Sequence, residues 1–155
     1  MIEPELAHRI GVAADTRLRP AADSDLMKLQ QLGLPTVVVD FYRSYEPVRY
    51  AEIAGVRLWP ISDVIAENQR YVPGTDVRPH GFVVFASTVS GDAYCFDLTT
   101  AEPQVVLLSH EVPFEGMARQ QVQALAKPIA TNLDAFLSSF VAGALESEPL
   151  SEPQP

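Results

Sequence analysis

The chain has 155 residues and a net charge of −9, and 47% of its residues are hydrophobic, which suffices for one domain with a sizeable core. Its single cysteine, Cys95, excludes an internal disulfide and a metal site built from several cysteines. The N-terminus lacks the basic start and apolar stretch of a secretory signal, and no apolar run is long enough to cross a bilayer. These features predict a cytoplasmic protein that does not enter a membrane.

The acidic charge is concentrated in the second half of the chain. Residues 80–155 carry nine acidic and only two basic side chains. Between Arg78 and Arg119 there is no Lys or Arg, and the acidic residues of this stretch are Asp92, Asp97, Glu102, Glu111 and Glu115. Since phosphate contacts need clustered Lys or Arg, we expect no direct binding to nucleic acid. A basic protein partner fits this charge, although an acidic surface also serves simply to keep a protein soluble.

The N-terminal third predicts one uncertain segment and two helices. Residues 1–20 predict an arm or a frayed helix, because a glycine and a proline interrupt the helical pattern. Residues 22–32 predict a helix capped by Asp23 or Ser24, whose side-chain oxygens can accept from free N–H groups. Residues 36–45 begin with β-branched residues that favour a strand, but their apolar side chains recur at helical spacing, so we predict a helix.

The middle of the chain predicts a hairpin, a helix and a loop. Residues 50–58 predict a small hairpin with its turn at Ala54-Gly55. Residues 61–70 predict a short helix capped by Ser62. Residues 72–80 contain two prolines and a glycine and predict a loop.

Three apolar runs rich in β-branched and aromatic residues predict adjacent antiparallel strands: 81–86, 94–98 and 105–109. The first and third runs are apolar throughout, so we expect them to be buried on both faces. Residues 119–127 predict one or two helical turns, and residues 132–145 predict a helix capped by Thr131 that covers one face of the sheet. The final residues, 146–155, are rich in Glu and Pro and predict a disordered acidic tail.

No catalytic, cofactor or metal motif is present. The histidines do not occur in HxH, HxxE or HExxH arrangements, and no glycine-rich phosphate loop occurs. Ser109-His110 and Ser90-Gly91-Asp92 contain the residue types of a hydrolase triad, but there is no GxSxG motif to support one. Cys95 lies between two aromatic residues of a predicted strand, so we interpret it as a buried apolar side chain rather than a nucleophile.

Trp59 is a candidate for either core packing or partner contact. It follows a predicted strand and precedes Pro60 and a helix. Tryptophan buries a large area in protein cores, and it is also enriched among the residues that dominate interface energies. The sequence leaves both interpretations open.

The order of these signals resembles the SUKH superfamily, whose members include a fungal cell-wall synthesis regulator and many bacterial immunity proteins. The similarity extends from about residue 22 to residue 141. Its main elements are Leu34-Pro35 at a helix start, Leu58-Trp59-Pro60 before a helix with Asn68, Gly91 to Leu98, His110-Glu111 and the closing helix with Phe136. The segment Gly-Asp-x-Tyr-Cys-Phe-Asp at 91–97 is the most specific of them.

The resemblance implies an α+β fold, a single SUKH-like domain at 21–145 with a mostly antiparallel central sheet and packed helices, and no enzyme activity or cofactor. It also implies an immunity protein that binds and neutralises a bacterial toxin, often a nuclease; a regulatory scaffold that binds a host protein or peptide is the alternative. On this interpretation the acidic surface contacts a basic toxin domain. The expected contact residues are Asp92, Asp97, Glu102, Glu111, Glu115 and Trp59.

Overall fold

A six-stranded antiparallel sheet forms the centre of the protein in the computed structural model, which describes residues 2–153. The helices and strands, in chain order, are α1 (Pro4–Ala14), β1 (Leu18–Arg19), α2 (Asp23–Gln31), α3 (Thr36–Tyr45), β2 (Glu46–Pro47), β3 (Ala51–Ile53), β4 (Val56–Leu58), α4 (Ile61–Gln69), α5 (Gly74–Val77), a 3-10 helix (Arg78–His80), β5 (Phe82–Thr88), β6 (Ala93–Asp97), β7 (Gln104–Leu108), α6 (Arg119–Ala124), β8 (Lys127–Ala130) and α7 (Leu133–Val141).

The sheet follows the order of the chain, β3-β4-β5-β6-β7-β8, so every pair of neighbouring strands is joined by a single connection. The three strands expected at 81–86, 94–98 and 105–109 are confirmed as antiparallel neighbours, with Cys95 opposite Val84 on one side and Val106 on the other. The hairpin expected at 50–58 is also confirmed. Its turn residues Ala54 and Gly55 have φ values of 49° and 79°, as a tight two-residue hairpin requires.

Both faces of the sheet are covered. One face packs against α1, α2, α3, α4 and α7 and includes Phe85, Tyr94, Phe96 and Leu107 in its core. The other face carries Phe82, Val84, Cys95 and Val106, which pack against Val77, Phe114 and the apolar residues of the segment 122–126. A bulge between Val84 and Ala86 disturbs the alternation of β5. As expected, the strand is buried along its whole length.

Helices α2 and α3 are confirmed, but the caps predicted for α2 and α4 are wrong. In α3 the helical spacing prevails over the β-branched start because Val38, Phe41 and Tyr42 are buried against the sheet. No side-chain cap bonds the start of α2 or of α4. At α4, the first backbone N–H is satisfied from elsewhere in the chain, by the carboxylate of Glu46.

The N-terminal segment is more regular than the arm or frayed helix expected at 1–20. Helix α1 is continuous from Pro4 to Ala14, and its Leu6, Ala7 and Ile10 are buried. The short strand β1 then pairs with β2, with Leu18 opposite Pro47. The N-terminal residues therefore complete the helical layer on the first face of the sheet.

The second half differs from expectation in four places. The segment 72–80 contains α5 and a 3-10 helix rather than a loop, and β8 follows the helical turns expected at 119–127. Helix α7 ends at Val141, and its cap is Asn132, whose side chain accepts from the Ala135 N–H at 2.8 Å, rather than Thr131. The tail expected at 146–155, of which 154–155 lie outside the described residues, has no helix or strand. Among residues 2–153, no helix is long and apolar enough to span a membrane.

Asn68 completes the sheet where strand β4 ends. Strand β4 pairs with residues 86–88 of β5, so Val84 lies beyond its reach. The Asn68 side chain takes the place of the missing strand: its Oδ1 accepts from the Val84 N–H at 2.9 Å, and its Nδ2 donates to the Val84 carbonyl at 2.8 Å. Nδ2 also donates to Val64 O at 2.8 Å. Helix α4 is thereby fixed to the edge of β5.

Candidate partner-binding surface

Asp92 is buried, contrary to its expected role as an exposed contact. The residue is 5% exposed. Its Oδ1 accepts from the backbone N–H of His110 at 3.0 Å and lies 2.7 Å from His110 Nδ1. Its Oδ2 accepts weaker bonds from the hydroxyls of Thr88 and Ser90. Because a carboxylate only accepts, Nδ1 carries the proton in this pair. Asp92 therefore joins the β5–β6 turn to the end of β7 and is unavailable to a partner.

The Asp92–His110 pair is not extended to a nucleophile. In a Ser-His-Asp triad the second ring nitrogen of the histidine bonds a serine hydroxyl. Here the nearest ionic group to His110 Nε2 is Glu111 Oε1 at 4.0 Å, and Ser109 Oγ accepts from the Glu111 N–H. Among the described residues no serine hydroxyl bonds His110. The geometry is that of a structural contact.

Asp97 is likewise buried, again contrary to expectation, and it is paired with Arg119. Asp97 is 3% exposed, and its Oδ1 accepts from Thr99 N at 3.0 Å, Thr99 Oγ1 at 2.6 Å and Arg119 Nη2 at 3.0 Å. The guanidinium of Arg119 also bonds the His80 carbonyl and lies over the Phe82 ring at 4.7 Å. This network holds the start of α6 against the start of β5.

The other three predicted acids are exposed, but they do not form one patch. Glu102 precedes β7 and Glu111 follows it. The five residues of β7 alone span about 17 Å, so these two carboxylates lie at opposite ends of the sheet. Glu115 lies in the connection 109–118, beside Phe114, which packs on the second face. Glu102 Oε1 accepts from Asn132 at 3.1 Å, which places it near the start of α7.

Both basic residues of this half, Arg119 and Lys127, form ion pairs within the molecule. Arg119 pairs with Asp97, and Lys127 pairs with Glu146 at 3.2 Å. Within residues 80–153 this leaves six exposed carboxylates without a Lys or Arg partner: Glu102, Glu111, Glu115, Asp134, Glu148 and Glu152. The described surface of this half is therefore strongly negative even after its internal pairs are formed.

Trp59 forms a second candidate surface with residues that sequence reasoning missed. It is half-buried, and its indole N–H donates to Ser87 Oγ at 3.0 Å. Its ring meets that of Tyr50 edge to face at 5.6 Å, and the Arg57 guanidinium lies 4.5 Å from the centre of the Tyr50 ring. Glu52 fixes Arg57 through a 2.7 Å bond to Nε. We define Tyr50, Arg57 and Trp59 as the aromatic–arginine cluster.

The hairpin register contained the signal for this cluster. A two-residue turn at Ala54-Gly55 places Ile53 opposite Val56 and Glu52 opposite Arg57. The last pair of the hairpin is Ala51 opposite Leu58, and one step beyond it the same count brings Tyr50 opposite Trp59. Cross-strand aromatic pairs and opposite charges stabilise sheets, so this pairing was available from the sequence.

No cofactor or metal site is evident in the described residues. No group of three or more His, Cys, Asp or Glu side chains among residues 2–153 is arranged to hold a metal ion. Burial raises the pKa of the Cys95 thiol, with a further contribution from Glu67, so the thiolate is disfavoured. Cys95 is therefore a core residue, as its sequence context indicates.

The fold is that of an α+β domain with an ordered antiparallel sheet and helices packed on it, consistent with the SUKH superfamily. The model of the SMI1 / KNR4 family (SUKH-1) matches residues 21–139, and the chain belongs to this family. No curated protein and no solved structure matches the chain. At the level of the family, membership supports a toxin-immunity or SMI1/KNR4-like role in which a protein partner is bound, and the family is generally non-enzymatic.

Proposed function

We propose that this chain is a cytoplasmic immunity protein that binds a cognate bacterial toxin and neutralises it. The observation that carries the proposal, beside family membership, is the set of six exposed carboxylates in residues 80–153 without a Lys or Arg partner. A nuclease toxin needs a basic surface to hold phosphates, and an acidic protein that covers this surface blocks substrate access. Complementary charge also accelerates association and rejects unsuitable partners.

Of the acids expected at the contact, Glu102, Glu111 and Glu115 remain candidates, since Asp92 and Asp97 are held in internal bonds. Glu102 lies at the far end of the sheet from Glu111. A partner can therefore contact Glu111 without contacting Glu102. Glu111 and Glu115 share the connection 109–118, and loops held by a rigid sheet commonly carry binding residues. We place the main contact on this connection.

Charge reversals measured by surface plasmon resonance test this placement, with the toxin domain encoded beside the gene as the analyte. Glu111→Lys with Glu115→Lys should reduce the association rate constant about tenfold at low salt and weaken its salt dependence. Glu102→Lys with Asp134→Lys should have a smaller effect. Glu5→Lys with Asp40→Lys is the matched control, because it changes the net charge equally on the exposed surfaces of α1 and α3.

Two outcomes would count against the proposal. If no variant changes the association rate, the acidic residues do not steer the partner. If all three variants slow association equally, only net charge matters and the connection 109–118 is not the contact.

A regulatory scaffold that binds a host protein or peptide is the second candidate, and the aromatic–arginine cluster favours it. Trp, Tyr and Arg are the residue types that most often dominate interface energies. In this case Trp59→Ala should accelerate dissociation of the partner, whereas reversal of Glu111 and Glu115 should leave its kinetics unchanged. A gene that is not adjacent to a toxin gene would also favour this candidate.

A further inference from the structure

A pocket of about 370 Å³ lies beside the aromatic–arginine cluster, between the chain at 46–50 and the start of α4. The residues that matter for its chemistry are Glu46, Asp63, Tyr50, Arg19, Arg49 and Asp25. It has room for roughly a dozen waters at about 30 Å³ each, and hence for the end of a long side chain. Trp59 lies next to it through its contact with Tyr50.

Glu46 is buried, and it lines this pocket. The residue is 6% exposed, and its Oε2 accepts from the Ile61 N–H at 2.9 Å. No hydrogen bond or ion pair within residues 2–153 engages Oε1. Among the described residues, every fully enclosed polar side-chain atom has a hydrogen-bond partner. Since Oε1 has none, it is not fully enclosed, and Glu46 lines this pocket. A nearly buried carboxylate with one free oxygen is unfavourable unless a donor or cation meets it.

A second carboxylate of the pocket also lacks a cation. Asp63 is half-buried, and this burial raises the pKa of its carboxyl. Asp25 pairs on the surface with Lys28 at 3.8 Å. Arg19 lies opposite Glu46 in the β1–β2 pair, yet within the described residues neither Arg19 nor Arg49 forms an ion pair. Within residues 2–153, neither Glu46 nor Asp63 therefore forms an ion pair, although Arg19 and Arg49 line the same pocket.

We propose that this pocket receives an arginine side chain of the protein partner, with Glu46 Oε1 and Asp63 as its acceptors. This inference rests on the proposed function, since a basic toxin domain supplies such side chains, and it makes the pocket a second toxin contact in addition to the main one on the connection 109–118. The guanidinium has donors on several edges and can bond two separate acceptors, and it packs well beside aromatic rings such as Tyr50. A metal ion fits less well, because the acidic side chains here do not converge as a metal site.

Titration of the ¹⁵N-labelled protein with the peptide Ac-Gly-Arg-Gly-NH2 tests the pocket without the toxin. We expect saturable chemical-shift changes confined to the amides of residues 46–50 and 61–63 and the Trp59 indole. The isosteric peptide with citrulline in place of arginine lacks the charge and should cause no such changes. A lysine peptide should bind more weakly, because its ammonium presents donors at only one point.

Two substitutions and two controls complete the experiment. Glu46→Gln and Asp63→Asn should each weaken peptide binding at least fivefold, whereas the matched controls Glu5→Gln and Asp40→Asn should leave it unchanged. Asp63→Asn keeps the test decisive if Glu46→Gln unfolds, because the Asp63 side chain, unlike that of Glu46, does not bond a backbone N–H at the start of α4 within the described residues. Three outcomes would each overturn the inference. The citrulline peptide could cause equal shifts, the control variants could weaken binding equally, or the wild-type protein could fail to bind the arginine peptide because solvent or Arg19 fills the pocket. The toxin measurements above are independent of it, so a failure of either proposal is recognised separately.

Discussion

Removal of the Asn68 side chain should lower the free energy of unfolding strongly, because two buried backbone groups lose their hydrogen-bond partner. Asn68→Ala deletes the groups that bond the N–H and C=O of Val84, which β4 does not reach. Asn68 is 2% exposed and Val84 is 1% exposed, so water cannot easily replace these bonds. Each buried backbone group left unpaired costs about 1–3 kcal/mol, which gives a total loss of about 2–6 kcal/mol. Typical domains have only about 5–15 kcal/mol of stability.

Urea denaturation followed by tryptophan fluorescence measures this effect. The midpoint should fall while the slope of the transition stays constant, since the amount of surface exposed on unfolding is unchanged. Gln69→Ala is the matched control, because the neighbouring side chain is exposed on the same helix. A loss below about 1 kcal/mol for Asn68→Ala would refute the reasoning, because surface changes routinely reach about half of that value.

Two further predictions concern buried polar groups. Arg119→Ala should lower the free energy of unfolding by about 3 kcal/mol in the same assay, because it leaves the Asp97 carboxylate buried without its cation. Lys127→Ala breaks the more exposed pair with Glu146 and should cost less than about 1 kcal/mol. Similar losses for both variants would contradict the structural role given to Asp97. Burial, with smaller effects of Asp92 and Glu146, raises the pKa of Tyr94 from 10.0 to about 12. The stability linked to the neutral form of Tyr94 is therefore complete below pH 10 and is lost as the pH rises to about 12. Absorbance at 295 nm should show one tyrosine titrating near pH 12, and persistence of this titration in Tyr94→Phe would disprove the assignment.

The sheet and most helices could be predicted because their signals are local. Apolar runs bounded by turn residues indicated β5, β6 and β7, and helical spacing outweighed β-branching in α3. Strand β8 was missed because Pro128 argues against a strand, although an edge strand tolerates it. The end of α7 was placed four residues too late, since the apolar stripe continues past Val141 to Leu145, which packs on the core without helical structure.

The candidate surface was predicted less well because exposure depends on partners that are distant in sequence. Asp92 lies in a turn and Asp97 at a strand end, where acidic residues are usually solvated. Their actual partners, His110 and Arg119, are 18 and 22 residues away. Glu46 was overlooked for the same reason, since its partner N–H belongs to Ile61. The local sequence pattern predicted the turn and the strand end that carry Asp92 and Asp97, but it carried no information on which distant residues pair with these side chains.

Inhibition of the purified toxin tests the central claim most directly. The toxin domain encoded beside the gene would be assayed on its own substrate while this protein is added in increasing molar ratio. If the chain is the cognate immunity protein, activity should fall linearly and vanish at a fixed stoichiometry, and Glu111→Lys with Glu115→Lys should slow the onset of inhibition. Full toxin activity in the presence of a large molar excess of the wild-type protein would contradict the account.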